Sequence, residues 1–216
     1  MQRPGSVVLV LTMAVSSCQL LPIADMPEPP ADWTIVEHSG EGQSECPDIG
    51  GVYSEVSDNQ EYVEGRWIDR EPDYRYVVWL ISGPASFAGL EPAELQPSQS
   101  MAGAVGDVNW IAFDLVGEEL IFQEANAKMQ KVWQWNFSRR LKHYDCVGGK
   151  VVFPVVVLTG GGQGYTRNRQ EEVSIGRSSA GALVIYERES LAKPSVFHRG
   201  LPRFGVYRFR ELQVGQ

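Results

Sequence analysis

Cysteine and histidine, the side chains that most often bind zinc, are scarce in this chain. It has three cysteines and three histidines in 216 residues, and the histidines (His38, His143 and His198) lie far apart. None of these residues falls in a CxxC or HExxH arrangement, the spacings that bring ligands together around zinc. The sequence therefore predicts neither a metal site nor a cofactor.

Apolar runs long enough to cross a membrane are also lacking at the N-terminus. The apolar run there covers residues 6–15, about ten residues, whereas a bilayer-spanning helix needs about 20. The run follows a single positive charge, Arg3, and ends in the small residues Ser16 and Ser17. This order is typical of a secretory signal peptide, which we assign to residues 1–17.

The end of that segment, Val15-Ser16-Ser17-Cys18, resembles the lipobox of bacterial lipoproteins. The resemblance implies that Cys18 becomes the lipidated N-terminus, carrying diacylglycerol on sulfur and a further acyl chain such as palmitate on its amine. Several acyl chains hold a protein firmly to a membrane, whereas one does not. Gln19 after the cysteine implies the outer membrane, with the protein facing the periplasm. An ordinary signal peptide that leaves Cys18 as a free or bridged thiol is the alternative.

The remaining chain divides into a tether and one domain. Residues 18–32 are rich in proline and acidic residues, a composition that predicts a stiff, solvated tether. Residues 33–216 are numerous enough for one domain with a sizeable core. After Cys18 only Cys46 and Cys146 remain, and in an oxidising compartment they predict one disulfide. Two buried thiols or a bridge to a partner are the alternatives.

Short segments rich in β-branched and aromatic residues predict strands. They cover residues 76–82, 110–115, 119–123, 131–137, 150–158, 182–187 and 205–209, and glycine-containing turns separate many of them. Pro154 predicts an edge or a bulge within its strand. Residues 83–106 contain two prolines and predict a long loop with at most one short helical turn. The fold class predicted is all-β, an antiparallel meander forming a barrel-like or sandwich domain.

The segment CPDIGGVY at residues 46–53 resembles a CPD-x-x-G-x-Y segment of small envelope lipoproteins. A Gly-x-aromatic entry strand followed by a meander is also similar to the lipocalins. Tyr53 stands where lipocalins have Trp, and a TDY-like second motif is absent from the sequence. The resemblance implies a barrel architecture and does not settle a function.

Charge is distributed unevenly along the chain. Residues 18–120 hold 20 acidic residues and three arginines, whereas residues 121–216 hold seven acidic and 15 basic residues. Strands from the two parts that interleave in one sheet would pair these charges. Alternatively, a basic face would bind an acidic partner or anionic lipid headgroups. An acidic, exported chain argues against nucleic acid as a partner.

Two sets of side chains are candidates for binding. Trp79, Trp110, Trp133 and Trp135 fall in predicted strands, where they either line a site for a small apolar ligand or fill the core. Arg199, Arg203, Arg208 and Arg210 alternate with aromatic residues near the C-terminus. They either form a partner-binding surface or occupy the outward positions of the last strand.

Signals for catalysis are weak. Ser190 and Lys193 fit the SxxK spacing of penicillin-recognising enzymes, but Pro194 follows at once and argues against the helix this motif requires. The sequence therefore favours a binding or scaffold role over catalysis. The first hypothesis is a barrel that holds a small apolar ligand, and the second is docking of an envelope protein through the basic C-terminal strand. An envelope hydrolase is the third.

Overall fold

The computed structural model describes residues 24–36, 46–71, 76–90, 93–94, 108–126, 131–162, 165–191 and 202–212. These residues form one antiparallel sheet that curls into a half-barrel, together with one α-helix and a short 3-10 helix. The strands are β1 (Gly51–Val63), β2 (Arg66–Arg70), β3 (Ala93–Glu94), β4 (Val108–Val116), β5 (Glu119–Asn126), β6 (Lys131–Ser138), β7 (Asp145–Val147), β8 (Lys150–Val152), β9 (Val156–Gly162), β10 (Tyr165–Arg177), β11 (Leu183–Leu191) and β12 (Arg203–Glu211). The helix is α1 (Tyr76–Phe87), and the 3-10 helix covers Ala31–Trp33. The predicted all-β, antiparallel, barrel-like fold is confirmed.

Two strands of 13 residues, β1 and β10, organise the sheet. The strand order is β3-β6-β5-β4-β1-β12-β11-β10-β8-β7. On the side away from β12, β1 pairs first with β4 and then with its own hairpin partner β2. On the side away from β11, β10 pairs with β9 and then with β8. Along this one edge, each long strand therefore pairs with two different strands, one after the other.

The strand predicted at residues 76–82 is wrong, because these residues begin helix α1. A short, continuously apolar run does not distinguish a buried strand from a buried helix. Leu80, Ile81 and Ala85 of the helix pack into the core on the concave face of the sheet. The helix ends at Phe87 and so includes the first residues of the predicted 83–106 loop. Residues 93–94 of that predicted loop form β3. Most of that loop lies outside the described residues.

Pro154 interrupts its predicted strand. β8 ends at Val152 and β9 begins at Val156, and both pair with β10. The break arises because proline has no N–H to contribute to the ladder. The amide of Phe153 still donates to the carbonyl of Val173 at 3.0 Å, so the chain stays against β10 as it passes from one strand to the next.

Aromatic side chains fill much of the concave face. Ring centroids lie 5.0 Å apart for Phe113 and Phe122, 5.4 Å for Phe122 and Trp135, and 5.1 Å for Phe137 and Phe153. Such distances are typical of favourable aromatic contacts in a packed core. These rings contribute to the largest hydrophobic cluster of the described residues.

The predicted disulfide between Cys46 and Cys146 is confirmed. The two Cα atoms lie 4.9 Å apart, and Cys146 is buried at the edge of the core. The bond ties the segment before β1 to β7, at the far end of the sheet order. It closes a separation of 100 residues, so it restricts the unfolded chain strongly.

The N-terminal segment, residues 24–36, packs on the convex face of the sheet. Trp33 and Ile35 join Val184, Tyr186 and Val206 in a second hydrophobic cluster. The hydroxyl of Tyr186 accepts a hydrogen bond from the amide of Ile35 at 2.8 Å and donates one to the carbonyl of Trp33 at 3.1 Å. The segment is therefore anchored by both apolar packing and hydrogen bonds.

The end of the predicted tether also contacts the sheet. Trp67 donates a hydrogen bond from Nε1 to the carbonyl of Glu28 at 2.8 Å, and Met26 packs against the second cluster. Asp32 forms an ion pair with Arg208 at 2.7 Å. Residues 24–32, assigned to the tether from their composition, thus lie against the domain.

Gly176 on β10 provides space for this segment. A Cβ atom at this position would overlap the branched side chain of Ile35 and would lie 3.1 Å from the carbonyl oxygen of Gly149. The amide of Val36 donates to the carbonyl of Arg177 at 2.9 Å, which holds Ile35 beside the glycine. Only glycine leaves room for the N-terminal segment at this point of the convex face.

We expect Gly176→Ala to lower the free energy of unfolding by about 1–3 kcal/mol, because overpacking costs that amount in close-packed sites. Urea denaturation measures the change. Gly50→Ala is the matched control, since its new Cβ would lie 3.4 Å from the nearest atom, Oδ1 of Asp48. Truncation by Ile35→Ala should reduce the effect of Gly176→Ala in a double-mutant cycle. Equal stabilities of the Gly176→Ala and Gly50→Ala variants would contradict the assignment.

Candidate binding site

The inner face of the sheet changes from apolar to acidic along its strands. On β10 the inward residues Ile175 and Val173 are followed by Glu171, and on β11 Ile185 is followed by Glu187. Residues two apart on a strand face the same side. In register, Val173 is opposite Glu187 and Glu171 is opposite Glu189, so the acidic positions begin one inward residue earlier on β11 than on β10.

A cavity of about 200 Å³ lies at this acidic end of the inner face. Residues of β1, β2, β11 and β12 contribute most of its lining. Four glutamates and two arginines are among them, so the carboxylates outnumber the guanidinium groups. The lining residues are Asn59, Gln60, Glu61, Arg70, Glu71, Glu187, Glu189, Arg203, Phe204, Gly205 and Tyr207.

The arginines of the cavity are engaged with its carboxylates. Glu61 lies between two of them, with Nη2 of Arg70 at 2.5 Å from one carboxylate oxygen and Nε of Arg203 at 3.2 Å from the other. Nη1 of Arg203 lies 3.9 Å from Glu189. The ion pairs therefore run from β2 through β1 and β12 to β11.

Arg169 on β10 extends this series of ion pairs. Its guanidinium lies 3.3 Å from Glu189 and 3.5 Å from Glu171. Opposite charges that alternate across five neighbouring strands offset part of the cost of placing carboxylates on a partly buried face. Glu187 forms no ion pair within 4 Å among the described residues.

The carboxylate of Glu187 instead accepts a hydrogen bond from the hydroxyl of Tyr207 at 2.7 Å. Burial raises the pKa of Glu187, and the bond from Tyr207 opposes the rise. Gly205 permits this contact: a Cβ atom there would lie 2.7 Å from the Tyr207 hydroxyl and 3.0 Å from its ring. The tyrosine ring thus folds back over the glycine and reaches the neighbouring strand.

Glu171 is 5% exposed, and burial raises its pKa to about 7. The charge of Glu187 raises the pKa further, the charge of Arg169 lowers it, and Glu189 adds a smaller rise. Helix α1 approaches this carboxylate at Gly83, where a Cβ atom would lie 3.7 Å from Oε1 of Glu171. A carboxyl group with a raised pKa beside like charges is the pattern seen at many functional sites.

Asn59 supplies a hydrogen-bond acceptor without a partner. The residue is 6% exposed, lines the cavity, and lies opposite Tyr207 in the β1–β12 register. Its Nδ2 donates to the carbonyl of Glu71 at 3.0 Å. Its Oδ1 has no hydrogen-bond partner among the described residues. An unmet buried acceptor costs about 1–3 kcal/mol.

The structure brings together only part of the predicted tryptophan set. Trp135 is buried beside Phe122, and Trp133 packs against the same core from the same face of β6. Trp110 is buried but belongs to neither hydrophobic cluster, since Ile111 and Phe113 are the inward residues of that strand. Trp79 lies in α1, and its side chain is outside the described set. None of the three described tryptophan side chains, Trp110, Trp133 and Trp135, lines the polar cavity.

The C-terminal arginines form ion pairs with acidic residues of the first half of the chain. Besides its bond to Asp32, Arg208 lies 3.0 Å from Asp58 and stacks over the ring of Trp33 at 4.6 Å. Arg210, which is largely exposed, lies 3.7 Å from the same aspartate. Together with the Arg203–Glu61 pair, these contacts show the pairing of charges across the sheet that interleaved strands predict. Arg199 and Cys18 lie outside the described residues.

Sequence reasoning missed the acidic positions of the cavity. The signal lies in β11, where the inward series Leu183, Ile185, Glu187 and Glu189 keeps its period of two but changes from apolar to acidic. From sequence alone, a glutamate at such a position is interpreted as the solvated end of a strand. Recognising a site requires the register that sets these residues beside β1 and β12.

A second groove, of about 310 Å³, lies between the N-terminal segment and the convex face. Its lining mixes apolar and charged side chains, including Met26, Pro29, Ile35, Val152, Lys150, Glu172 and Arg188. The N-terminal segment itself forms one wall of this groove.

Comparison of the chain with protein-family models, curated proteins and solved structures gives no match. Within the described part of the chain, no helix is both long and apolar enough to cross a bilayer. In the same residues, no group of three or more His, Cys, Asp or Glu side chains is placed to hold a metal ion. The site is therefore interpreted from its own geometry.

The raised pKa of Glu171 predicts a stability that falls as pH rises from about 4.5 to about 7. In this range the folded state retains a proton that the unfolded state has lost, so each step up in pH favours unfolding until both states are ionised. The loss is at most about 3 kcal/mol. Urea denaturation between pH 4.5 and 8 should show it, and Glu171→Gln should reduce it, leaving the contribution of Glu187, whose pKa burial also raises. Glu119→Gln, at an exposed position, is the control, and identical pH profiles of the two variants would contradict the prediction.

Proposed function

We propose that the protein is a ligand-binding module of the bacterial cell envelope. In this proposal acyl chains on Cys18 anchor it to the outer membrane, and the folded domain faces the periplasm. The lipobox-like segment before Cys18 supports the anchor. The disulfide between Cys46 and Cys146 supports an oxidising compartment, because such bonds persist in the periplasm and are rare in the cytosol.

The polar cavity on the inner face carries the proposal of ligand binding. Its wall includes the unpartnered Oδ1 of Asn59 and the carboxylate of Glu187, whose described partner is a neutral phenol. Ligand sites are concave and contain a few polar groups that converge on the bound molecule. A small polar ligand that donates hydrogen bonds would satisfy these acceptors.

A small apolar ligand held by tryptophans receives less support. Trp135 and Phe122 are in contact within the core, and helix α1 packs into the same cluster. Docking of an envelope protein through the basic strand also receives less support, because Arg203 and Arg208 are engaged with acidic residues of this chain. The polar cavity is therefore the feature that we assign to function.

Native mass spectrometry of the mature chain, purified in detergent from a bacterial envelope, tests the cavity. We expect a retained small molecule in the wild-type protein and a clear loss of occupancy in Asn59→Leu, which removes the acceptor and adds apolar bulk. Asn136→Leu is the matched control, since Asn136 is exposed on β6. Retention that is equal in both variants, or a wild-type protein without any bound molecule, would contradict the proposal.

The anchor is tested separately by fractionation. Cys18→Ala should move the protein from the outer-membrane fraction of a density gradient to the soluble periplasm and should abolish labelling by a palmitate analogue. The reason is that the acyl chains on this residue supply the membrane affinity. Ser17→Ala keeps a small residue before the cysteine and should change neither readout. A Cys18→Ala protein that still sediments with the outer membrane would overturn the anchor.

A further inference from the structure

Among the described residues, the cavity lining has more negative than positive charge. Four glutamates face two arginines, and both arginines already bind carboxylates, since Arg70 pairs with Glu61 and Arg203 pairs with Glu61 and Glu189. A ligand that carries negative charge would meet this carboxylate excess at close range. Positive charge on the ligand would instead complete the balance.

The buried polar side-chain atoms of the lining that have no partner among the described residues are both acceptors, Oδ1 of Asn59 and Oε1 of Gln60. Oδ1 of Asn59 only accepts hydrogen bonds, and it has no partner among the described residues. The carboxylate of Glu187 accepts one bond from Tyr207 and forms no ion pair with any described guanidinium. A ligand must therefore supply donors to be bound well at both places.

The two acceptors belong to strands on either side of β12. Asn59 of β1 is opposite Tyr207, and Glu187 of β11 is opposite Gly205. Since neighbouring strands lie about 4.8 Å apart, the backbones of β1 and β11 are about 10 Å apart at this level. A short molecule with a donor group at each end suits this spacing better than a single monatomic ion.

We propose that the ligand is a small organic cation whose ammonium or guanidinium groups donate hydrogen bonds to Asn59 and Glu187. This inference rests on the proposed function, because it names the ligand class of the same cavity. An organic cation fits better than a metal ion, since no metal-binding group of three His, Cys, Asp or Glu side chains occurs in the described residues. Ammonium and guanidinium groups are donors without acceptor capacity, which matches the open acceptors.

Isothermal titration calorimetry of the mature chain in detergent tests the charge requirement with three four-carbon probes. The probes are 1,4-diaminobutane, 1,4-butanediol and succinate, which carry two positive charges, no charge and two negative charges at neutral pH. We expect the diamine to bind at least tenfold more tightly than the diol, and succinate to give no heat of binding. Equal binding of diamine and diol, binding of succinate, or no binding of the diamine would overturn the inference.

Variants locate the diamine in the cavity. Asn59→Leu and Glu187→Gln should each weaken diamine binding at least tenfold, and Asn136→Leu should leave it unchanged. Glu187→Gln retains a carbonyl oxygen for Tyr207, and an unchanged circular-dichroism spectrum and melting temperature establish that it folds. Unchanged affinity in a folded Glu187→Gln protein would place the diamine elsewhere and overturn the inference.

Calcium chloride serves as the comparison for inorganic cations. If calcium binds as tightly as the diamine and Asn59→Leu weakens both equally, the ligand class is a metal ion and the inference is overturned. A neutral or anionic molecule retained in native mass spectrometry and lost in Asn59→Leu would overturn the cation assignment and leave the proposed binding function standing. Absence of both a retained molecule and any bound probe would overturn both.

Discussion

Placing carboxylates on the inner face of a curved sheet is the constraint on which the rest of this structure depends. A carboxylate removed from water is costly unless cations or hydrogen bonds compensate it. Among the described residues, Arg169 and Arg203 pair with Glu189, Arg169 alone pairs with Glu171, and Glu187 has the neutral hydroxyl of Tyr207. Compensation is therefore strongest at one end of the acidic series and weakest at the residues nearest the apolar core. That incomplete compensation is the basis of the proposal that the cavity binds a cation.

Glycine positions allow the two faces of the sheet to be packed at the same time. The sequence GVY occurs at residues 51–53 and again at 205–207, and in both places the tyrosine folds back over the glycine two residues before it. Tyr53 donates to the carbonyl of Ile49 at 2.8 Å, whereas Tyr207 donates to Glu187. The same local geometry thus serves the core at the start of β1 and the polar cavity on β12. On the convex face, Gly176 makes the equivalent allowance for Ile35.

Residue patterns predict the parts of the fold in which one face is apolar and the other is polar. The alternation in residues 131–137 and 205–209 is therefore enough to predict strands, and β6 and β12 confirm this prediction. Residues 76–81 form a continuous apolar or aromatic run without a period, and packing on the concave face decides for a helix. β10 reads YTRNRQEEVSIGR and lacks an apolar alternation in its first half, because those inward positions bear Arg169 and Glu171.

The disulfide is predictable once Cys18 is assigned to the lipobox and the compartment is taken as oxidising, because only Cys46 and Cys146 remain. The cavity is not predictable from any local pattern. Asn59, Glu187 and Tyr207 are separated by up to 148 positions in the sequence and meet only through the β1–β12–β11 register. The charge asymmetry along the chain predicts one part of this arrangement, namely that strands from the two halves pair with one another. Which of those charges lie on the inner face depends on the register of each strand pair.

A carbon-13 NMR titration of the glutamate side-chain carboxyl groups, with Glu171 assigned through its Glu171→Gln variant, tests the central claim most directly. Glu171 should titrate with a pKa of about 7, well above the values of about 4.3 typical of solvated glutamates. That result would establish a carboxyl group held inside the half-barrel with incomplete compensation. A Glu171 resonance that titrates together with the exposed glutamates would contradict the account, because the inner face would then be open to water and its carboxylates would need no ligand.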